Sequence, residues 1–230
     1  MSSILKPSRR DVEKIFEDHE KYWGYLNKVL YLRCICDAKQ IDLCNISEKD
    51  IYGVVKTFLV NWGGVLRNKK LKIDEYNNTV DKWAKNMPKI IKNNCHILKD
   101  FQKLKLESTS IEKYDKKIKK CYNDLKTIDN IGASSSSKIL HLFAPDFFPM
   151  WDGAIIKEIN KELPKSEYKI ITGKITTSPQ GYVNYMLIIQ KLLKDYMSIW
   201  KSLSMKYDSL KSCPILRTVD IYLWMSCRIK

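Results

Sequence analysis

The segment spanning residues 127–159 (TIDNIGASSSSKILHLFAPDFFPMWDGAIIKEI) limits what this chain can fold into more than any other part of the sequence. Gly132 tolerates positive φ angles, and Asn130 tolerates the left-handed conformation, so Asn-Ile-Gly predicts a tight turn after a helix. An apolar helical pattern follows and is interrupted by a loop that contains Pro149. Asp152 then stands where a helix N-cap is expected. The segment therefore predicts three helices joined by a tight hairpin and a proline-containing loop.

Apolar residues recur at helical spacing along most of the remaining chain. The predicted helical segments are 9–35, 47–62, 75–93, 95–106, 110–126, 182–203 and 214–227. Pro88 is expected to kink or split its helix, and Ser178-Pro179 is expected to start one. Strand patterns are weak, and Lys169–Thr177 is interpreted as either a small β-hairpin or an irregular loop. The sequence therefore predicts a mostly α fold with at most one small β-hairpin.

The charge of the chain favours a polyanionic partner. Lys and Arg number 41 against 26 Asp and Glu, which gives a net charge of +15. Such an excess drives association with nucleic acid through counterion release, although a general lysine bias of the source proteome is an alternative explanation. No apolar run reaches the length of a membrane span, and the N-terminus does not resemble a signal peptide. We therefore expect a cytoplasmic protein that does not enter membranes.

The cysteines predict neither a disulfide framework nor a metal site. Seven cysteines are present, an odd number, and their spacing has neither a disulfide rhythm nor the paired spacing of zinc or iron–sulfur ligands. We therefore expect free thiols in a reducing compartment and no bound metal.

The hairpin itself predicts an anion-binding turn. The first amide N–H groups of the helix after Gly132 have no intrahelical acceptors, and this arrangement binds phosphate without a cationic side chain. The serine hydroxyls and Lys138 are expected to add donors and charge. The residues predicted to contact phosphate are Asn130, Gly132, Ala133, Ser134, Ser135 and Lys138. The alternative interpretation is an ordinary corner between two helices with glycine as a C-cap.

Asp152 is the candidate catalytic residue. An aspartate at a helix N-cap is held by backbone amides, and the helix dipole favours its ionised form. A carboxylate fixed in this way can stabilise developing positive charge and activate a water molecule. The alternative is that Asp152 serves only as a cap.

Residues 131–159 resemble the helix-hairpin-helix–Gly/Pro–Asp superfamily of DNA glycosylases. Asn-Ile-Gly at 130–132 is similar to the Gly-hydrophobic-Gly hairpin of that superfamily, with Asn130 in place of the first glycine. Residues 148–153 (FPMWDG) resemble the Pro-x-x-Asp-Gly sequence of adenine-mismatch glycosylases. Members with lyase activity carry a lysine where this chain has Ser134, at 152 − 134 = 18 residues before Asp152. The resemblance implies a monofunctional enzyme that uses water and leaves an abasic site, with Schiff-base chemistry through Lys138 as an alternative.

The resemblance also implies an architecture and partners. We expect a two-lobed helical fold with a central cleft, in which residues 1–74 and 178–230 form one lobe and residues 75–177 the other. The expected partner is double-stranded DNA, bound by a monomer. The Cys-x6-Cys-x2-Cys-x5-Cys pattern is absent, so no iron–sulfur cluster is expected, whereas a monovalent cation at the hairpin is implied by relatives.

The target base is the least constrained prediction. A glycosylase flips its base into a pocket and stacks it on aromatic rings, and the candidates are Trp151, Trp62, Tyr185 and Trp224. The alternative interpretation of each is that its side chain is buried in the hydrophobic core. Arg217 and Asp220 are expected at the surface or in an ion pair, or reading a base edge. The superfamily implies a modified or mispaired base, including a hypermodified phage base such as glucosylated hydroxymethylcytosine. A non-catalytic DNA-binding module and a basic helical adaptor for RNA or protein are the alternatives.

Overall fold

A computed structural model describes residues 3–63, 73–163 and 175–228, with the backbone only for residues 22–26, 63 and 73–79. These residues are mostly α-helical, as predicted, and contain no β-strand. The α-helices are α1 (Arg9–Lys39), α2 (Glu48–Asp50), α3 (Lys56–Phe58), α4 (Ile73–Asn93), α5 (Cys95–Phe101), α6 (Asp115–Lys126), α7 (Ala133–Phe143), α8 (Gly153–Glu162), α9 (Pro179–Asp195), α10 (Met197–Lys206) and α11 (Ile215–Ser226). Two π-helical turns, Ile51–Val55 and Leu59–Gly63, flank α3, and two 3₁₀ turns, Leu106–Ser108 and Ile111–Tyr114, precede α6. The predicted β-hairpin at 169–177 lies largely outside the described residues.

Several helix starts follow from local sequence. The Ser8 hydroxyl accepts a hydrogen bond from the Asp11 N–H at the start of α1. Ser178 caps α9 by accepting from Gly181 N, with Pro179 in the first turn, as predicted. The Ser47–Asp50 capping pattern is also confirmed, because the Asp50 carboxylate accepts from Ser47 N at 2.8 Å.

Two predicted interruptions of helices differ from the structure. Pro88 was expected to kink or split its helix; it does not split it, since α4 runs unbroken through it, and a kink at Pro88 stays a prediction. Trp83, Met87 and Ile91 of α4 are buried, and their burial offsets the hydrogen bond that a proline removes. The predicted helix over 182–203 divides at Tyr196, whose backbone leaves the helical region (φ −121°, ψ 23°), so that α9 and α10 are separate helices.

Helix α7 lies at the centre of the molecule. It packs against α1, α6 and the second π-helical turn, and each of its residues from Ser135 to Phe143 is buried. Helix α11 packs against α1, α8, α9 and α10. The buried apolar residues form one cluster that extends from Ile4 to Met225 and joins both predicted lobes. The division into two lobes around a cleft therefore stays a prediction.

The cysteine prediction needs correction. Cys44 and Cys95 form a disulfide with their Cα atoms 5.2 Å apart, although 51 positions separate them in the chain. Folding places the turn after α1 beside the start of α5, which the spacing of the cysteines could not reveal. Cys34, Cys36, Cys121, Cys213 and Cys227 are free thiols. Among the described parts of the chain, no helix combines the length and the apolar character that crossing a bilayer requires.

Candidate functional site

The hairpin between α6 and α7 is an exposed, well-anchored turn. Asn130 adopts the left-handed conformation with φ 64°, as the sequence predicted. Gly132 does not adopt that conformation. It is the N-cap of α7 with extended backbone angles (φ −91°, ψ −174°), so this position does not need a glycine to reach a positive φ. The Trp83 indole N–H donates to the carbonyl of Asp129 at 2.9 Å and fixes the turn to α4. A monovalent cation at this turn stays a prediction.

The N-terminus of α7 has no side-chain cap, and the side chains of its first turns do not all face outward as predicted. Gly132 has no side chain to cap the helix, and the residue is exposed to solvent. The hydroxyl of Ser134 donates to the carbonyl of Trp151 at 3.0 Å. Ser135 is buried, and Lys138 is only 5% exposed. The phosphate contacts predicted for the Ser135 and Lys138 side chains are therefore wrong, because both side chains are buried, whereas a contact through the half-buried Ser134 stays a prediction.

Side chains from α9 and α11 hold the loop that precedes Asp152. The Tyr182 hydroxyl donates to the carbonyl of Pro149 at 3.0 Å, and the Tyr185 hydroxyl donates to the carbonyl of Met150 at 2.9 Å. The Met150 N–H donates to the Asp220 carboxylate at 3.3 Å. Because both tyrosines and Asp220 are buried, these hydrogen bonds are shielded from water and fix the loop backbone.

Helix α7 holds the last residue of the same loop. The Trp151 N–H donates to the Ser137 hydroxyl at 2.9 Å, and the Trp151 carbonyl accepts from Ser134. The ammonium of Lys138 donates to the Ser134 hydroxyl at 2.9 Å. A chain of hydrogen bonds thus runs from Lys138 through Ser134 to Trp151, whose neighbour is Asp152. The hairpin helix and the Asp152 loop are one unit.

Asp152 is the N-cap of α8, as the sequence predicted. Its carboxylate accepts a hydrogen bond from the Ala154 N–H at 2.9 Å, and the residue is half-buried rather than enclosed. Burial lowers the pKa of Lys138 to about 8, although the negative charges of Asp152 and Asp220 oppose the shift. The site therefore pairs an accessible, fixed carboxylate with a buried lysine whose charge acts on it through a poorly hydrated interior.

A second polar cluster lies behind the loop, where the sequence predicted none. His141 is fully buried, and burial lowers the pKa of its imidazole to about 3, so the ring is neutral. Its Nδ1 lies 2.6 Å from the Phe148 carbonyl and therefore carries the proton, while Nε2 accepts from the Tyr31 hydroxyl at 2.8 Å. The guanidinium of Arg217 lies 4.8 Å from the centre of the Tyr31 ring.

Asp220 is the most unusual member of this cluster. It was expected at the surface or in an ion pair, but it is 3% exposed and one of its carboxylate oxygens has no hydrogen-bond partner. Burial raises its pKa to about 8, against the opposing effects of Arg217, the Met150 N–H and Lys138. A buried acid that holds the loop before Asp152 and has a pKa raised to about 8 is a candidate for a functional as well as a structural role.

The structure does not bring the predicted base-pocket tryptophans together. Trp151 is 2% exposed and packs against Tyr182 and Tyr185, so its ring is not available to a base, and the prediction for it is wrong. Trp62 is half-buried, and its indole N–H donates to Asn27 at 3.0 Å. Trp224 is half-buried with the Arg228 guanidinium 4.3 Å from its ring centre. In the described residues, no aromatic contact joins two of these tryptophans.

Sequence reasoning underestimated the residues that position Asp152. Arg217 and Asp220 interrupt α11, which is otherwise strongly apolar, and charged residues in such a helix signal a buried polar role. Tyr185 was predicted to line the base pocket, which is wrong because its ring is fully buried. The sequence did not indicate that Tyr182 and Tyr185 hold the loop, because their hydroxyl contacts arise only from the packing of α9 on it. Comparisons with models of protein families, with curated proteins and with solved structures gave no significant match.

Proposed function

We propose that this chain is a monofunctional DNA N-glycosylase that hydrolyses the bond between deoxyribose and a modified or mispaired base. One observation carries the proposal: the hydrogen-bonded chain from Lys138 through Ser134 to the Trp151 carbonyl. It joins the start of the hairpin helix to the residue before Asp152. A phosphate held by the α7 amides would therefore lie at a fixed distance from the carboxylate.

Asp152 supplies the chemistry in this proposal. As the N-glycosidic bond breaks, positive charge develops on the sugar and the carboxylate stabilises it. A water molecule attacks C1′ and passes a proton to the carboxylate, while the base leaves with the bonding electron pair and is protonated. The products are a free base and an abasic site. The Ala154 N–H and the clamped loop hold the carboxylate in place, so little reorganisation is needed during the reaction.

The binding of double-stranded DNA is supported by charge and by the exposed hairpin. The chain carries a net charge of +15, and the α7 amides begin at an uncapped, exposed glycine. Backbone amides at a helix N-terminus bind phosphate oxygens without reading sequence. The hairpin thus positions the strand, and a separate pocket must select the base.

A panel of DNA substrates tests the proposed activity. Duplexes carrying oxidised, alkylated, deaminated or mispaired bases, and phage-type DNA with glucosylated hydroxymethylcytosine, are incubated with the protein and then treated with alkali. Strand cleavage after alkali reports abasic sites, and mass spectrometry identifies the released base. We expect Asp152→Asn to lower base release by about 10²–10⁴-fold, the range for a general acid–base group.

Asp129→Asn is the matched control, because Asp129 is an exposed carboxylate beside the hairpin. It removes one carboxylate charge, as Asp152→Asn does, and should leave base release unchanged. Undiminished release by Asp152→Asn would refute the role of Asp152. DNA binding without release from any substrate would favour a non-catalytic DNA-binding module.

A further inference from the structure

A cluster of metal-ligating side chains lies apart from the Asp152 loop. Cys44 stands in the turn between α1 and α2, Cys95 is the first residue of α5, and His96 follows it. The sulfur atoms of the two cysteines and a ring nitrogen of His96 all lie within 4.8 Å of one another. Cys95 is buried, Cys44 is half-buried and His96 is exposed, so the cluster opens to solvent on one side.

The surroundings of the cluster hold the turn in place. The Asp42 carboxylate accepts from the Cys44 N–H at 3.2 Å and from the Lys99 ammonium at 2.8 Å. It also accepts from the Asn45 side chain. These contacts, with that of Lys99 as the largest, lower the pKa of Asp42 to about 2. Asp42 is thus already engaged on both oxygens, and the cluster offers three protein ligands rather than four.

We propose that Cys44, Cys95 and His96 bind Zn²⁺ when the two cysteines are reduced, and that the disulfide is the alternative state of the same site. Two thiolates and an imidazole form a ligand set that zinc prefers, with water in the fourth position. Two thiolates also neutralise the charge of the ion, so the half-buried site carries no net charge. Tetrahedral coordination with Zn–S bonds of about 2.3 Å requires sulfur atoms roughly 3.8 Å apart. Because the Cα atoms of the two cysteines are 5.2 Å apart, breaking the S–S bond would let side-chain rotation bring the sulfur atoms to that spacing.

The two states interconvert by a balanced two-electron reaction. A peroxide such as hydrogen peroxide oxidises the zinc-bound thiolates: two thiolates, H₂O₂ and two protons give one disulfide and two water molecules, and the Zn²⁺ ion is released. A thiol or phosphine reductant reverses the oxidation and restores the ligands. The half-exposed Cys44 gives the oxidant access, and the accessible water position allows the ion to leave.

The test measures zinc and does not depend on DNA chemistry. The full chain is reduced with a phosphine, stripped of metal with a chelator that is then removed, and titrated with ZnCl₂ while bound zinc is quantified by elemental mass spectrometry. We expect one tightly held Zn²⁺ per reduced chain, its release by one equivalent of hydrogen peroxide, and no binding to the disulfide form. Co²⁺ in place of Zn²⁺ should give thiolate-to-metal charge-transfer absorption in the near ultraviolet.

Variants decide whether this cluster holds the ion. Cys44→Ser and Cys95→Ser should abolish binding, whereas Cys36→Ser, at an exposed free thiol, should bind as the wild type does. His96→Ala changes an exposed residue and keeps both cysteines, so the variant should fold. It should bind zinc roughly 100-fold more weakly or worse, because loss of an outer-shell partner alone lowers metal affinity by about 10–100-fold. Reduced wild-type protein that binds no zinc, or His96→Ala that binds with wild-type affinity, would overturn the proposal.

Discussion

The ammonium of Lys138 lies 2.9 Å from the hydroxyl of Ser134, one turn earlier on the same buried helix. The lysine is therefore directed along α7 toward its N-terminus, and not outward to a phosphate. In that position its charge faces the interior side of the Asp152 loop. Replacing it should affect catalysis more than DNA binding.

Lys138→Met keeps an unbranched apolar side chain that is one atom shorter, and it removes the charge and the hydrogen bond to Ser134. We expect base release to fall by about 10²-fold, the size of effect seen when one preorganised electrostatic group is lost. The dissociation constant for DNA should change less than threefold. Single-turnover base release and fluorescence anisotropy measure the two quantities. Lys157→Met, at an exposed lysine of α8, is the control, and equal losses in both variants would argue against a specific role.

Tyr185→Phe removes the hydroxyl that donates to the Met150 carbonyl. Leaving that buried acceptor unsatisfied should lower the free energy of unfolding by about 1–3 kcal/mol. It should also slow base release, because the backbone before Asp152 loses one of its restraints. Urea denaturation measures the first effect. Tyr196→Phe, at a half-buried ring that packs on Trp200, should do neither, and a fully stable Tyr185→Phe protein would show that the hydrogen bond contributes little.

Asp220→Asn should change how stability depends on pH. Burial raises the pKa of Asp220 to about 8 from an ordinary value of 3.8, so the folded state binds a proton that the unfolded state releases. That contribution is present in full below the unfolded pKa and is lost as pH rises through 8. The wild-type free energy of unfolding, relative to that of Asp220→Asn, should therefore be larger at pH 5 than at pH 8.5. A difference that does not vary with pH would contradict the buried, protonated state of Asp220.

Gly132→Ala tests whether DNA approaches the hairpin backbone. A Cβ atom at this position would contact nothing within 4 Å in the protein, and φ is −91°, so the variant should be as stable as the wild type. The methyl group would instead stand between the α7 amides and a bound phosphate. We expect DNA affinity to fall about tenfold, which corresponds to about 1.4 kcal/mol. Gly53→Ala is the control, because a Cβ atom there also contacts nothing within 4 Å and Gly53 lies outside the hairpin. Unchanged DNA binding in both variants would show that the hairpin does not contact DNA.

Replacing both Cys44 and Cys95 by serine should destabilise the oxidised protein. The disulfide joins residues 51 positions apart, and the loop-entropy relation gives about 4 kcal/mol for closing a loop of this length. Denaturation without reductant and with a metal chelator isolates this contribution. Adding a reductant to the wild type should produce the same loss, whereas Cys36→Ser should have no effect with or without it.

The sequence was sufficient for local features. Asn130 takes the left-handed conformation, Asp152 caps α8, and Ser178-Pro179 starts α9, because each depends on angles and hydrogen bonds within a few residues. The division at Tyr196 and the intact α4 around Pro88 were not predictable in this way. Both depend on which neighbouring surfaces a helix packs against, and local propensity is a weak guide to that.

By itself, the sequence determined a mostly helical chain, a strong positive charge, a tight Asn-Ile-Gly hairpin and an aspartate at the start of a helix. Only the tertiary structure decided that the Lys138 side chain is buried and bonded to Ser134, that Trp151 is buried, and that Asp220 holds the loop before Asp152. It also decided that Cys44 meets Cys95. The physical reason is the same in each case: periodicity and capping act over one or two helical turns, whereas burial and pairing depend on contacts between residues far apart in the chain.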